Sequence, residues 1–117
     1  MFHKMAPTAY LILESNIYNF ASKYIKDYDG GSWNFEEIED VWYAYPHIGE
    51  CVLFNPNNYF EETVDEKIAG LAITMYTYNQ LAWHYHGTNN VLCEFFIDRY
   101  YTLREHCNSA EIFRFLD

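Results

Sequence analysis

Asp27-Tyr28-Asp29-Gly30-Gly31-Ser32-Trp33-Asn34-Phe35 separates two kinds of periodicity. Before it, Ile17, Phe20, Ala21, Tyr24 and Ile25 recur at i, i+3, i+4, i+7 and i+8, the spacing of a helix packed on one face. After it, Trp33 and Phe35 alternate with Asn34 and Glu36, a period of two that suits a half-buried strand. Two consecutive glycines between the patterns allow backbone angles that other residues resist. The stretch therefore reads as a helix-to-strand corner, with Gly30, Gly31, Trp33 and Phe35 as its structural residues. Lys23 and Lys26 fall in the last turns of the helix, where cations favour the negative end of its dipole.

Upstream, residues 1–8 read as an extended lead, with Pro7 and Thr8 suited to a helix start. Downstream, Glu39 and Asp40 make a turn before Val41-Trp42-Tyr43-Ala44-Tyr45, a β-rich run closed by Pro46. Gly49 marks a further turn, Cys51-Val52-Leu53-Phe54 a third strand, and Asn55-Pro56-Asn57-Asn58 a loop. Three short strands with tight connections predict an antiparallel meander. Thr63 followed by Glu66 is a capping-box pattern that starts a helix near residue 64. That helix carries Ile68, Leu71, Ala72, Met75 and Ala82 on one stripe, widened by Ala69, Ile73 and Tyr76, so it is expected to be central and buried.

After the polar break Gly87-Thr88-Asn89-Asn90, a helix from about Val91 to Cys107 presents Leu92, Phe95, Phe96, Leu103 and Cys107. Asn108 with Glu111 opens a last short helix bearing Ile112, Phe113 and Leu116. The expected fold is α+β: a small three-stranded antiparallel sheet enclosed by about four helices, as a single domain over residues 1–117. That length suffices for one core and not for two.

Half of the residues are hydrophobic, including 3 Trp, 9 Phe and 12 Tyr, a composition of folded chains. Seven Lys plus Arg against 17 Asp plus Glu leave a formal charge of −10, which argues against direct nucleic-acid binding. No run approaches the roughly 20 apolar residues of a membrane helix, and the N-terminus has neither the charge nor the apolar core of a signal peptide. Cytoplasmic residence is the expectation. Cys51, Cys93 and Cys107, odd in number and widely spaced, read as reduced thiols.

Asp27, Asp29, Glu36, Glu37, Glu39 and Asp40 place six acids and no base between residues 27 and 40. Glu61, Glu62, Asp65 and Glu66 form a second cluster. Such clusters read either as solvated rims or as negative patches that meet a basic surface. The first six, with Trp42, are the candidate interaction residues; core packing is the expectation for Trp33, Phe35 and Trp42 themselves. A calcium loop counted from Asp27 fails, since its sixth position is Ser32 and its twelfth Ile38. His3, His47, His84, His86 and His106 lack zinc-site spacing, and no phosphate-binding loop, serine elbow or zincin helix is present. The residues thus nominate no catalytic set, metal or cofactor. Tyr43, Tyr45, Tyr59, Phe60, Tyr76, Tyr78, Trp83, Tyr85, Tyr100 and Tyr101 divide between core filling and surface anchors.

The corner resembles the D-Y-x-G-G-x-W-x-F stretch of the ArdB/KlcA antirestriction proteins. Trp42-Tyr43-Ala44-Tyr45-Pro46 is similar to that family's second strand, G-F-Y-M-A-P, and Phe54 to Phe60 to its G-N-x-F loop. Thr63 to Leu71 resembles the S-A-D-A-A-G-I helix start. Tyr101 to His106, followed by Ser109 to Phe113, resembles the closing L-R-x-Y … H-P-E-A-x-x-I segment. The hairpin tip departs from the pattern, with Glu39-Asp40 where the family often has Asn-Gly-Gly. The resemblance implies a non-enzymatic, cofactor-free, cytoplasmic protein of plasmids and other mobile elements. It would relieve cleavage of unmodified incoming DNA by type I restriction-modification systems through contact with the restriction enzyme or an associated host protein. The alternatives are an acidic DNA mimic that occupies a basic DNA-binding groove and an unrecognised hydrolase, the latter disfavoured by the missing motifs.

Overall fold

Helix α1 (Pro7–Tyr24) sets Ala9, Leu13, Ile17, Ala21 and Tyr24 in a buried stripe at helical spacing. The structure, a computed structural model, describes residues 7–117. Residues 1–6 of the expected lead lie outside the described residues, and Pro7 and Thr8 already belong to α1. Where α1 ends, the Lys26 amide donates to the Val52 carbonyl at 2.9 Å and Ile25 bridges to Leu53. Asp27 then turns into the left-handed region at φ 60°. The helix stops because its backbone has transferred to a strand.

Strands β1 (Trp33–Ile38) and β2 (Val41–Pro46) form an antiparallel hairpin with Trp33 opposite Pro46 and Ile38 opposite Val41. Glu39 and Asp40 make its two-residue turn, both at positive φ (49° and 64°), as the right-handed twist of the strands requires. Strands β3 (Cys51–Asn55) and β4 (Phe60–Val64) form a second hairpin. The sheet is therefore not a three-stranded meander but two separate two-stranded sheets.

The reason lies on the outer edge of β2. Thr74 Oγ1 donates to the Ala44 carbonyl and accepts from the Ala44 amide, each at 3.2 Å, and the Tyr78 hydroxyl donates to the Trp42 carbonyl at 2.7 Å. Backbone groups that would have met β3 are satisfied by a helix instead. The expected helix start near residue 64 is also corrected, because Phe60 to Val64 is strand. Asp65 is the true N-cap, its Oδ1 accepting from the Ile68 amide at 2.8 Å.

Helix α2 (Glu66–Tyr85) is the central element, with an unbroken buried run from Ala69 to Met75. Gly70 is needed there: a Cβ would lie 2.2 Å from Tyr45 Cα, so glycine alone lets the helix backbone meet β2. Helix α3 (Asn90–His106), capped by Asn89, buries Phe96, Tyr100 and Leu103 against α2. Helix α4 (Ala110–Leu116) is capped by Ser109, not Asn108, and buries Ile112 and Phe115. Phe115 meets Tyr24, Phe60 and Tyr76 edge-on, at centroid distances of 5.7 to 5.9 Å. Much of the aromatic excess is consumed in such core contacts.

Candidate interaction surface

The corner is built by glycine conformation and one aromatic clasp. Gly30 and Gly31 take φ 101° and 113°, and nothing lies within 4 Å of where their Cβ atoms would stand, so torsion rather than crowding selects them. The Trp33 indole Nε1 donates to the Tyr28 hydroxyl at 2.8 Å across the loop, while Tyr18 packs on Trp33 at 5.4 Å. The chain then enters β1, and the His47 amide donates to the Ser32 carbonyl at 2.9 Å. The outcome is a surface groove of about 450 Å³ lined by Tyr18, Ser22, Tyr28, Asp29, Gly30, Gly31 and Trp33.

The six acids are not one cluster. Asp27 and Asp29 stand on the corner, and Glu39 and Asp40 at the far end of β1, a strand length of roughly 20 Å away. Glu36 and Glu37 lie between them on opposite faces of the strand. Glu36 is tied down at the surface: its two carboxylate oxygens accept from the Tyr43 and Tyr45 hydroxyls at 2.9 and 3.0 Å, and Lys67 Nζ approaches to 3.1 Å. The Lys67 contact, followed by the tyrosine hydroxyls, keeps the Glu36 carboxyl below the ordinary value. Burial, then Glu36, raises Tyr43. Glu39 meets His106 Nε2 at 3.2 Å, which ties the hairpin tip to the end of α3. Asp27, Asp29, Glu37 and Asp40 are exposed and form no ion pair among the described residues.

Trp42 is only 1 % exposed and sits in the core between Tyr10 (5.3 Å) and Phe35 (4.9 Å). Phe35 stacks on it and remains 43 % exposed, contrary to a plain core placement. Three members of the second acidic cluster are used in structure, and the fourth, Glu61, is exposed with no ion pair among the described residues. Glu62 pairs with Arg114, Glu66 accepts from the Gly49 amide at 2.8 Å, and Asp65 caps α2.

Two features escape the sequence patterns. Tyr59, at the tip of β3–β4, is 95 % exposed yet holds φ 61°. Trp83 and Tyr101 come together with Ala82, Cys93 and Ile97 beside a groove between α2 and α3. Helical spacing marks each as flanking its core stripe, but only the tertiary pairing of α2 with α3 joins them. Cys51, Cys93 and Cys107 are free and half-buried, and burial pushes the Cys51 thiol up to about 11. Among the described residues no His, Cys, Asp or Glu group is arranged to hold a metal, and no helix is long and apolar enough to cross a membrane.

The fold as a whole and most of the sequence match known proteins. The family model for antirestriction protein matches residues 26–117, from the corner to the last residue. The chain belongs to the antirestriction protein family. It is 32 % identical to the putative antirestriction protein YubI of Escherichia coli strain K12 over 83 residues, covering 70 % of this chain and 59 % of that protein. It is 27 % identical to the antirestriction protein KlcA of Escherichia coli over 110 residues, covering 89 % of this chain and 74 % of KlcA. A solved structure from work on KlcA and ArdB superposes with a TM-score of 0.82 at 25 % identity, covering 95 % of this chain and 81 % of that one. Those two proteins act against type I DNA restriction systems in vivo but not in vitro. The ArdB/KlcA resemblance is thereby shown.

Proposed function

We propose that this protein relieves type I restriction of incoming unmodified DNA without catalysis, by binding a protein of the restriction pathway through the corner and the β1 face. The match to KlcA and ArdB over 95 % of the chain carries the reading. The surface supports it: Asp27, Asp29, Glu37 and Asp40 are exposed acids with no ion pair among the described residues, beside the aromatic Phe35. Charge of this sign suits a basic protein surface.

The alternative is a decoy that mimics DNA. A decoy that fills a DNA groove would inhibit the purified enzyme, whereas the two relatives act in cells and not in vitro. That contrast favours a target or an intermediary present only in the cell, such as a host protein associated with the restriction enzyme. The acids also follow one hairpin, with Glu36 paired to Lys67 and Glu39 tied to His106, which is a poor copy of two regular phosphate rows.

The test is the plating efficiency of unmodified phage on cells with a type I system, with and without this gene, together with methylation of the surviving phage DNA. The expected result is rescue with methylation retained. No rescue in several type I systems, with the protein present, would contradict the proposal.

A further inference from the structure

The groove at the glycine corner is lined by three aromatic rings, an acid and no base. Its walls are the Tyr18, Tyr28 and Trp33 rings, with Tyr28 and Trp33 set 71° apart at 6.0 Å and Tyr18 and Trp33 tilted 56° apart. Asp29 contributes an exposed carboxylate to the lining. Gly30 and Gly31 leave the remaining side low, because no Cβ projects from either. Neither Lys23 nor Lys26 lines the groove, and Lys23 is placed over the Phe20 ring.

We propose that this groove receives an arginine side chain presented by the protein partner. The inference rests on the antirestriction reading and specifies the chemistry of the contact. Aromatic faces carry negative electrostatic potential and attract a cation, and a planar guanidinium stacks on them better than a compact ammonium does. A neighbouring carboxylate supplies a second, directional contact. The same carboxylate, in a protein of net charge −10, disfavours phosphate, so the occupant proposed is a protein side chain and not a nucleic-acid backbone.

The molecule contains an example of the arrangement. The Arg99 guanidinium lies 3.8 Å from the centre of the Phe95 ring and 3.1 Å from an Asp98 carboxylate oxygen. The corner groove sets aromatic rings and an acid together in the same way, and its lining holds no lysine or arginine. The Tyr28 hydroxyl already accepts the Trp33 indole N–H, which holds the Trp33 ring in place before any guest arrives.

The experiment follows the Trp33 indole N–H and the Gly30 and Gly31 amides by NMR while acetyl-Gly-Arg-Gly-amide is added to the whole protein. Matched citrulline and lysine peptides serve as controls. Saturable shifts are expected at these three positions with arginine and none with citrulline. Asp29→Asn, an exposed change that leaves the fold intact, should weaken binding about twofold to fivefold. No shift with arginine overturns the proposal, as does an equal response to citrulline or lysine. The outcome is separable from the function test: peptide binding that fails while phage rescue stands removes this site alone, and rescue that fails while binding stands removes the function alone.

Discussion

The two hairpins have similar length and opposite situations. In β1–β2, one strand is buried throughout and its outer edge is occupied by Thr74 and Tyr78, while β1 pairs with no strand but β2 and has exposed acids on it (Glu37) and beyond its two ends (Asp27, Asp29 and Asp40). In β3–β4, the strands lie among helices: Ile25 of the α1 exit bridges to β3, and the tip is fastened to α4. Asn55 and Asn58 make that fastening, each donating a side-chain N–H to the Phe115 carbonyl at 3.0 Å. One hairpin is backed by a helix so that its edge can face outward; the other is tied at β3 to the α1 exit and at its tip to α4. Charge on an otherwise open edge also discourages strand-to-strand association, so the acids of β1 protect the fold as well as offering contact.

The support of the first hairpin is the most fragile point. Gly70→Ala would drive a Cβ against the backbone of Tyr45 and Ala44, at 2.2 and 2.4 Å, and force α2 from β2. A loss of about 3 kcal/mol is expected in urea unfolding. For the second hairpin, Asn55→Ala removes the bond to Phe115 and the one its Oδ1 accepts from the Asn57 amide. Because Asn58 still serves the Phe115 carbonyl, the expected cost is smaller, about 2 kcal/mol by the same measurement.

Tyr59→Asn should act in the opposite direction. Asparagine accepts the left-handed conformation that tyrosine resists, and the exposed ring packs on little that would be lost. A gain of about 1 kcal/mol is expected, read as a higher urea midpoint with an unchanged slope.

The smallest effect concerns pH. Glu36 is held below its ordinary value of 4.5 by Lys67, Tyr43 and Tyr45. A carboxyl whose folded pKa is depressed contributes stability that is present above 4.5 and disappears as the pH falls through the folded value. Glu36→Gln should therefore lower stability at neutral pH and flatten its decline below pH 4.5, a curve measurable by urea titration from pH 7 to 3. Glu111, lowered by helix-start hydrogen bonds from its own backbone and Ser109, keeps part of the decline in place.

The helices were legible because their cores repeat locally. Ile17, Ala21 and Tyr24, or Leu71, Ala72 and Met75, declare a buried face within a few turns. The corner was equally plain, since only glycine tolerates φ values above 100° at successive positions. Strand β4 was missed because only its ends, Phe60 and Val64, are buried, and Thr63 with Glu66 imitates a cap that Asp65 in fact provides.

The single meander failed for a different reason. Whether β2 pairs with β3 depends on Thr74 and Tyr78, which no pattern near β2 announces. The fate of each acid was likewise hidden. Glu36 and Glu37 are neighbours of one type, yet Lys67 and two tyrosines engage the first, while the second forms no ion pair among the described residues. Local pattern reveals which residues are buried, whereas partners distant in sequence decide which charges remain free.

The central claim is that the first hairpin and its corner, not the second hairpin, meet the restriction pathway. The direct measurement is phage plating on a type I host expressing Asp29→Asn, Glu37→Gln and Asp40→Asn together, beside a host expressing Tyr59→Asn and Glu61→Gln. These acids form no ion pair among the described residues, so the first protein should keep the parent's urea midpoint and the second should show the raised midpoint expected of Tyr59→Asn. The account predicts that the first variant loses protection and the second retains it. Full protection by the first, or its loss only in the second, would contradict the account.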